Sequence, residues 1–113
     1  MDTVVHLVSG DESEHETALN IAENLLADES GSIDDVAIVA QAKGIEAVSS
    51  AGDHTEQVAS LLDDGVAISG CSNTLEAMGM AESDLIDGVE TVPEGAVEVT
   101  RLESEEGYAY LRP

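Results

Sequence analysis

The chain has 113 residues, enough for one domain spanning 1–113 and too few for two. It carries 25 acidic residues against three basic ones (Lys43, Arg101 and Arg112), a formal net charge of -22. Phosphate groups are bound by Lys and Arg, and three scattered cations cannot supply that surface, so nucleic acid and anionic membranes are excluded as partners.

In chain order, Thr3 to Ser9 is apolar and β-branched, bounded by Gly10-Asp11, and reads as a first strand. Ala18, Leu19, Ile21, Ala22, Leu25 and Leu26 recur at helical spacing, so Ser13 to Asp28 reads as an amphipathic helix. Val36 to Gln41 is apolar almost throughout, the pattern of a parallel strand covered on both faces. Gly44 to Gly52 fits either a short helix or an irregular loop. Asp53 or Thr55 caps a helix that runs through Leu62, with Val58, Leu61 and Leu62 turned inward. Val66 to Ser69 is a third strand. A helix follows over Asn73 to Met78, with Asn73 as its N-cap and Glu76 three residues on, and a short one over Ser83 to Ile86. Val89 to Val92 is a fourth strand. Pro93 suits the first turn of a helix ending near Glu105 and Gly107, and Tyr108 to Leu111 is a fifth strand. Strands alternating with helices predict a three-layer α/β/α domain on a mainly parallel five-stranded sheet. Right-handed crossovers then gather Gly10-Asp11, Gln41-Ala42-Lys43-Gly44 and Gly70-Cys71-Ser72 on one edge, where ligands of open α/β sheets bind.

A hydrophobic fraction of 42% is too high for a disordered chain, yet the charge should destabilise a compact fold in dilute buffer. Concentrated salt reconciles the two. The Debye length falls from about 8 Å at physiological ionic strength to about 3 Å at 1 M. The expectation is a protein of a salt-in halophile, of haloarchaeal type; the alternative is an ordinary acidic protein that binds a cationic partner. No apolar run approaches the ~20 residues of a membrane span, and no basic-then-apolar signal opens the chain. One cysteine cannot form an internal disulfide, which fits a reducing cytoplasm. Aromatic residues are limited to Tyr108 and Tyr110, so the core is thin, and burial between like subunits is expected to supplement it.

Cys71 carries most of the functional information. Between a strand end and a helix start, a thiol faces the positive end of the helix dipole, which favours thiolate. The alternative is a buried cysteine acting as a small hydrophobe. Lys43, the only lysine, lies in a loop of the same edge, where a cation would assist the thiolate; otherwise it serves solubility or an intersubunit ion pair. His6 reads as a buried, hydrogen-bonded histidine, or else as an imidazole reaching the ligand edge. The cluster Asp11-Glu12-Ser13-Glu14-His15-Glu16 could hold a cation, but it lacks the i,i+4 histidine spacing of helical zinc sites, and an acidic first turn complementing the helix dipole explains the run more simply. His54 reads as surface. No metal is expected. Tyr108 and Tyr110 share one face of a terminal strand, where packing explains them. No cofactor is expected either: no G-x-G-x-x-G follows the first strand, and Walker A and G-x-S-x-G motifs are absent.

Three stretches resemble the DsrE family of small sulfur-relay-like proteins. They are Val4-Val5-His6-Leu7-Val8-Ser9-Gly10-Asp11, then Gly65 to Leu75 around Cys71, and Asp87-Gly88-Val89-Glu90-Thr91-Val92-Pro93 with the later Gly107-Tyr108-Ala109-Tyr110-Leu111. The resemblance implies a three-layer domain that assembles as trimers or hexamers. In sulfur-transferring members a cysteine carries sulfur as a persulfide between proteins, and only Cys71 can take that role here. The expected function is a cytoplasmic persulfide carrier working between a sulfur donor and a sulfur acceptor protein. Cys71 would hold the sulfur with its thiol turned outward, supported by Asn73, Lys43, Gly70 and Ser72, beside the ligand-edge loop of Gly10 and Asp11. The alternative is a non-catalytic oligomeric module that binds a small ligand or only builds the assembly.

Overall fold

The computed structural model describes residues 1–113. The elements are β1 (Asp2–Leu7), α1 (Glu12–Ala27), β2 (Val36–Ala40), a 3-10 helix (Ala42–Val48), α2 (Thr55–Asp63), β3 (Ala67–Cys71), α3 (Ser72–Met78), a 3-10 turn (Glu82–Asp84), β4 (Glu90–Val92), α4 (Gly95–Glu105) and β5 (Tyr108–Leu111). Every element read from the sequence is present, with ends moved by a residue or two. The segment that fitted either a helix or a loop begins at Ala42 as a 3-10 helix, because Ile45, Ala47 and Val48 all turn into the core.

The strands form one sheet in the order β4-β3-β2-β1-β5, and every neighbouring pair is parallel. That order dictates where the helices go. From β1 to β4 the chain steps in one direction across the sheet. Right-handed crossovers therefore put α1, the 3-10 helix, α2 and α3 on the same face. From β4 it returns past the whole sheet to pair β5 with β1, so the same handedness puts α4 on the opposite face.

The two cores follow from this. On the crowded face, 18 buried residues form one cluster, including Val5 and Leu7 of β1, Val36, Ile38 and Ala40 of β2, and Leu19, Leu61 and Leu75 from the helices. On the α4 face the cluster has five: Val4, Ala37, Val39, Val99 and Leu102. Successive strand residues point to opposite faces, so β2 had to be apolar at every position. α4 alone shelters its face, and Val97 on this helix is left exposed.

One glycine fixes how the layers meet. A Cβ at Gly44 would lie 2.2 Å from the Leu7 carbonyl oxygen. Only glycine lets the 3-10 helix press onto the end of β1. The Gly44 N–H uses the proximity by donating to the Val8 carbonyl at 3.1 Å.

Candidate functional site

The C-terminal ends of β3 and β4 lie side by side, with Cys71 paired to Val92. From β3 the chain turns into α3 on the crowded face; from β4 it turns into α4 on the other. Two neighbouring strands whose connections part to opposite faces mark the point beyond whose ends open α/β sheets bind ligands. Cys71 sits at that point.

Its setting differs from the expectation in two respects. The thiol does not point outward, since Cys71 is only 1% exposed. Asn73 is not the cap of α3. Pairing of Gly70 with Thr91 and of Cys71 with Val92 carries β3 two residues further than the apolar run suggests. Cys71 itself then takes the N-cap position, without a side-chain capping bond, and the helix starts at Ser72. Asn73 falls inside the first turn, and its Nδ2 donates to Glu94 Oε2 at 3.0 Å. The Cys71 thiol also donates to Glu94 Oε2, with sulfur and oxygen 3.8 Å apart. The other oxygen of Glu94 caps α4 by accepting the Ala96 N–H at 3.0 Å.

These bonds hold the Glu94 carboxyl below its ordinary range. The Ala96 N–H contributes most, then Asn73, with the Cys71 thiol adding less and partial burial opposing them. Glu94 is therefore an anion at neutral pH and a weak base. It receives the thiol hydrogen as a partner rather than removing it.

The other expected site residues have structural work at the same edge. A Cβ on Gly70 would come within 2.9 Å of Ile45 Cδ1 and 3.1 Å of Leu85 Cδ1, so its bareness admits both side chains beside the cysteine. Ser72 is half-buried in the first turn of α3. Lys43 is exposed and forms no ion pair; its stem lies on Gly10, whose added Cβ would sit 2.9 Å from Lys43 Cβ. The charged group at the thiol is Glu94, not a cation. Asp11 caps α1, accepting the Ser13 N–H at 2.8 Å and the Ser13 hydroxyl at 2.7 Å, and these bonds pull its carboxyl below the ordinary value. The chain passes between neighbouring elements where the Ala42 N–H donates to Thr74 Oγ1 at 2.9 Å, tying the 3-10 helix to α3.

The histidines divide. His6 is buried and hydrogen-bonded, as read from the sequence: Nε2 meets Gln41 Oε1 at 2.7 Å and Nδ1 meets the Tyr110 hydroxyl at 2.6 Å. Tyr110 is thus more than packing. His54 departs from expectation, being 9% exposed rather than on the surface. The loop before α2 folds it against α1, where its ring stands edge-on to that of His15, with centroids 6.3 Å apart. His15 is buried too, and Glu12 completes a group of three metal-ligating side chains. Neither Glu94 nor the pairing of His15 with His54 was read from the sequence. The sole hint was the Pro93-Glu94-Gly95 stretch at a helix start, where an acidic side chain complements the helix dipole.

No curated protein matches the chain. Several solved structures share its fold. The protein of unknown function MTH1491 from Methanobacterium thermoautotrophicum is similar with a TM-score of 0.92 and 33% sequence identity, over 99% of this chain and 98% of that one. The conserved protein of unknown function BT1422 from Bacteroides thetaiotaomicron is similar in fold, with a TM-score of 0.74 and 18% identity over 99% of this chain and 94% of that one. The DsrE/DsrF-like family model matches residues 2–113, and the chain belongs to that family.

Proposed function

We propose that the protein is a sulfur carrier that receives and releases sulfur at Cys71, with Glu94 as a movable polar cover. The observation that carries this reading is the place of the only thiol, at the C-terminal ends of β3 and β4, with its hydrogen directed to a half-buried carboxylate. An inert core cysteine needs no such partner. Glu94 is half-buried and Asn73 exposed; on this reading, rotation of the Glu94 side chain gives a sulfur donor access to the buried thiol.

The chemistry balances without an outside oxidant. The Cys71 sulfur attacks the outer sulfur of a donor persulfide, forming a new S–S bond as the donor's S–S bond breaks. The electron pair leaves with the donor thiol, which takes the proton given up by Cys71. An acceptor thiol then attacks the outer sulfur of Cys71 persulfide and restores the original thiol. Donor and acceptor are separate proteins.

Assembly belongs to the same reading. α4 is the sole cover of its face, Val97 is exposed on it, and Tyr110 and Leu111 are exposed on the β5 edge. These surfaces suit a homo-oligomer, a trimer or hexamer, whose interface adds the apolar burial that the five-residue cluster lacks. The excess of acidic residues suits a salt-rich cytoplasm, where screening relieves the repulsion.

Burial of Cys71 favours the second reading, a non-catalytic assembly or small-ligand module. Mass spectrometry after incubation of the folded protein with polysulfide separates the two. A gain of one sulfur atom, absent from Cys71→Ser and faster in Glu94→Ala, supports the carrier. No gain on folded wild type or Glu94→Ala rejects it in favour of the module.

A further inference from the structure

We propose that Glu12, His15 and His54 form a binding site for a divalent transition-metal ion of the zinc class, distinct from the Cys71 site. The three side chains come from two elements. Glu12 and His15 lie in the first turn of α1, and His54 sits at the start of α2, and one ligand atom of each falls within 4.8 Å of the others.

Hydrogen bonding decides which atoms face the shared space. His15 Nε2 lies 2.6 Å from the Ser9 carbonyl oxygen. A carbonyl only accepts, so Nε2 carries the hydrogen in the neutral ring and the lone pair is on Nδ1. That nitrogen faces Glu12 Oε2 at 3.8 Å. A ligating histidine usually donates its other ring N–H to a carbonyl or carboxylate, which fixes its tautomer and aim. Ser9 does this for His15. His54 supplies the second observation: its Nε2 is buried and makes no hydrogen bond, although Glu12 Oε1 lies against it. A buried ring nitrogen without a partner is costly, and coordination would satisfy it.

The dimensions suit a small first-row cation after a modest closure. Zinc binds imidazole nitrogen at about 2.0–2.1 Å and carboxylate oxygen at about 2.0–2.2 Å, so ligand atoms of a tetrahedral site are about 3.4 Å apart. Two imidazoles on one such ion have centroids about 5 Å apart on the same geometry, against 6.3 Å here. The His15 ring is anchored by Ser9, while Glu12 is 56% exposed, so the carboxylate can adjust, and the loop before α2 can bring His54 inward. Two imidazoles and one carboxylate select zinc, iron(II), nickel or copper over magnesium and calcium, which prefer all-oxygen sites. Three protein ligands leave a coordination position for water or a small anionic ligand. The net charge of -22 raises the local cation concentration but cannot by itself create a preference for zinc.

The test is calorimetric titration of chelator-treated full-length protein in molar sodium chloride with zinc chloride, and separately with magnesium chloride. Cobalt(II) absorption serves as a reporter of coordination geometry. One zinc per chain is expected, with no comparable magnesium uptake and a tetrahedral cobalt spectrum. Glu12→Gln and His54→Gln should each weaken zinc binding by at least about tenfold, and Cys71→Ser should bind zinc as wild type does. His15→Ala risks the fold, because the ring is fully buried; Glu12→Gln, at a carboxylate 56% exposed, avoids that risk, and His54→Gln replaces the other buried ring with a polar side chain. Zinc taken up without fixed stoichiometry, equal uptake of magnesium, unchanged affinity in both Glu12→Gln and His54→Gln, or loss of zinc in Cys71→Ser would each overturn the site.

Discussion

Two polar corners lie at the C-terminal edge of this sheet, and they are built in different ways. At the Cys71 corner a single buried thiol donates to one carboxylate, and its place arises from topology: β3 and β4 send their chains to opposite faces. At the Glu12 corner two buried imidazoles and a surface carboxylate converge because α1 and α2 pack side by side on the crowded face. The first corner sets a buried thiol beside a half-buried carboxylate, while the second brings three side chains together between two helices. One edge of a small sheet can therefore hold two unlike groups of side chains, provided that different parts of the fold position them.

The scaffold common to both corners is the 3-10 helix. Its Ala42 N–H is bound by Thr74 of α3, and its Gly44 rests on Leu7 and Val8, just before the Ser9 carbonyl that orients His15. Gly44→Ala drives a methyl group into the backbone and should have the largest effect, about 3 kcal/mol of stability, read by chemical denaturation in high salt. It should disturb both corners at once. Loss of stability confined to one corner's reactivity would show that they are independent.

Next in size is the contrast between the two buried groups. His15→Ala removes a large ring and strands the Ser9 carbonyl, costing about 2–3 kcal/mol, whereas Cys71→Ala deletes one small atom and should cost about 1 kcal/mol. Equal costs in denaturation curves would erase the distinction between the two corners. Tyr110→Phe takes the hydroxyl from His6 and should cost about 1 kcal/mol without changing sulfur uptake at Cys71. Altered uptake would draw His6 into the mechanism.

The smallest expected effect compares the two caps. Asp11 at α1 and Glu94 at α4 both have carboxyls held below their ordinary values, by Ser13 and by the Ala96 N–H respectively. A depressed carboxyl contributes stability that is complete above its unfolded value, near 3.8 for Asp and 4.5 for Glu. The contribution is lost as pH falls through the lower folded value. Acid titration of thermal stability should therefore fall below about pH 4.5, and Asp11→Asn and Glu94→Gln should each flatten part of the slope. Both groups are at the surface, so concentrated salt should shrink the difference.

The order of elements was legible because it rests on local patterning. β-Branched runs bounded by glycine gave the strands, and the recurrence of Ala18, Leu19, Ala22 and Leu25 gave α1. Position within the site was harder to read wherever it depended on a neighbour distant in sequence. Cys71 was recognised at the strand-to-helix junction, but its burial and the displacement of Asn73 from the cap follow from pairing with Thr91 and Val92, 20 or more residues away. Glu94 enters the site because β4 lies beside β3, which no local pattern encodes. His54 looked like a surface residue, since a polar side chain at a helix start gives no sign that another helix will cover it. Lys43 was placed on the correct edge, yet its stem lies on Gly10 and the thiol faces an anion instead.

The most direct test of the carrier is the reaction of the folded protein with polysulfide, followed by mass spectrometry in molar salt with wild type and Glu94→Ala compared at equal stability margins. Wild type is expected to gain one sulfur on Cys71, and Glu94→Ala to gain it several-fold faster because the polar cover is gone. A thiol that stays unmodified in both proteins until they unfold would contradict sulfur carriage by this chain.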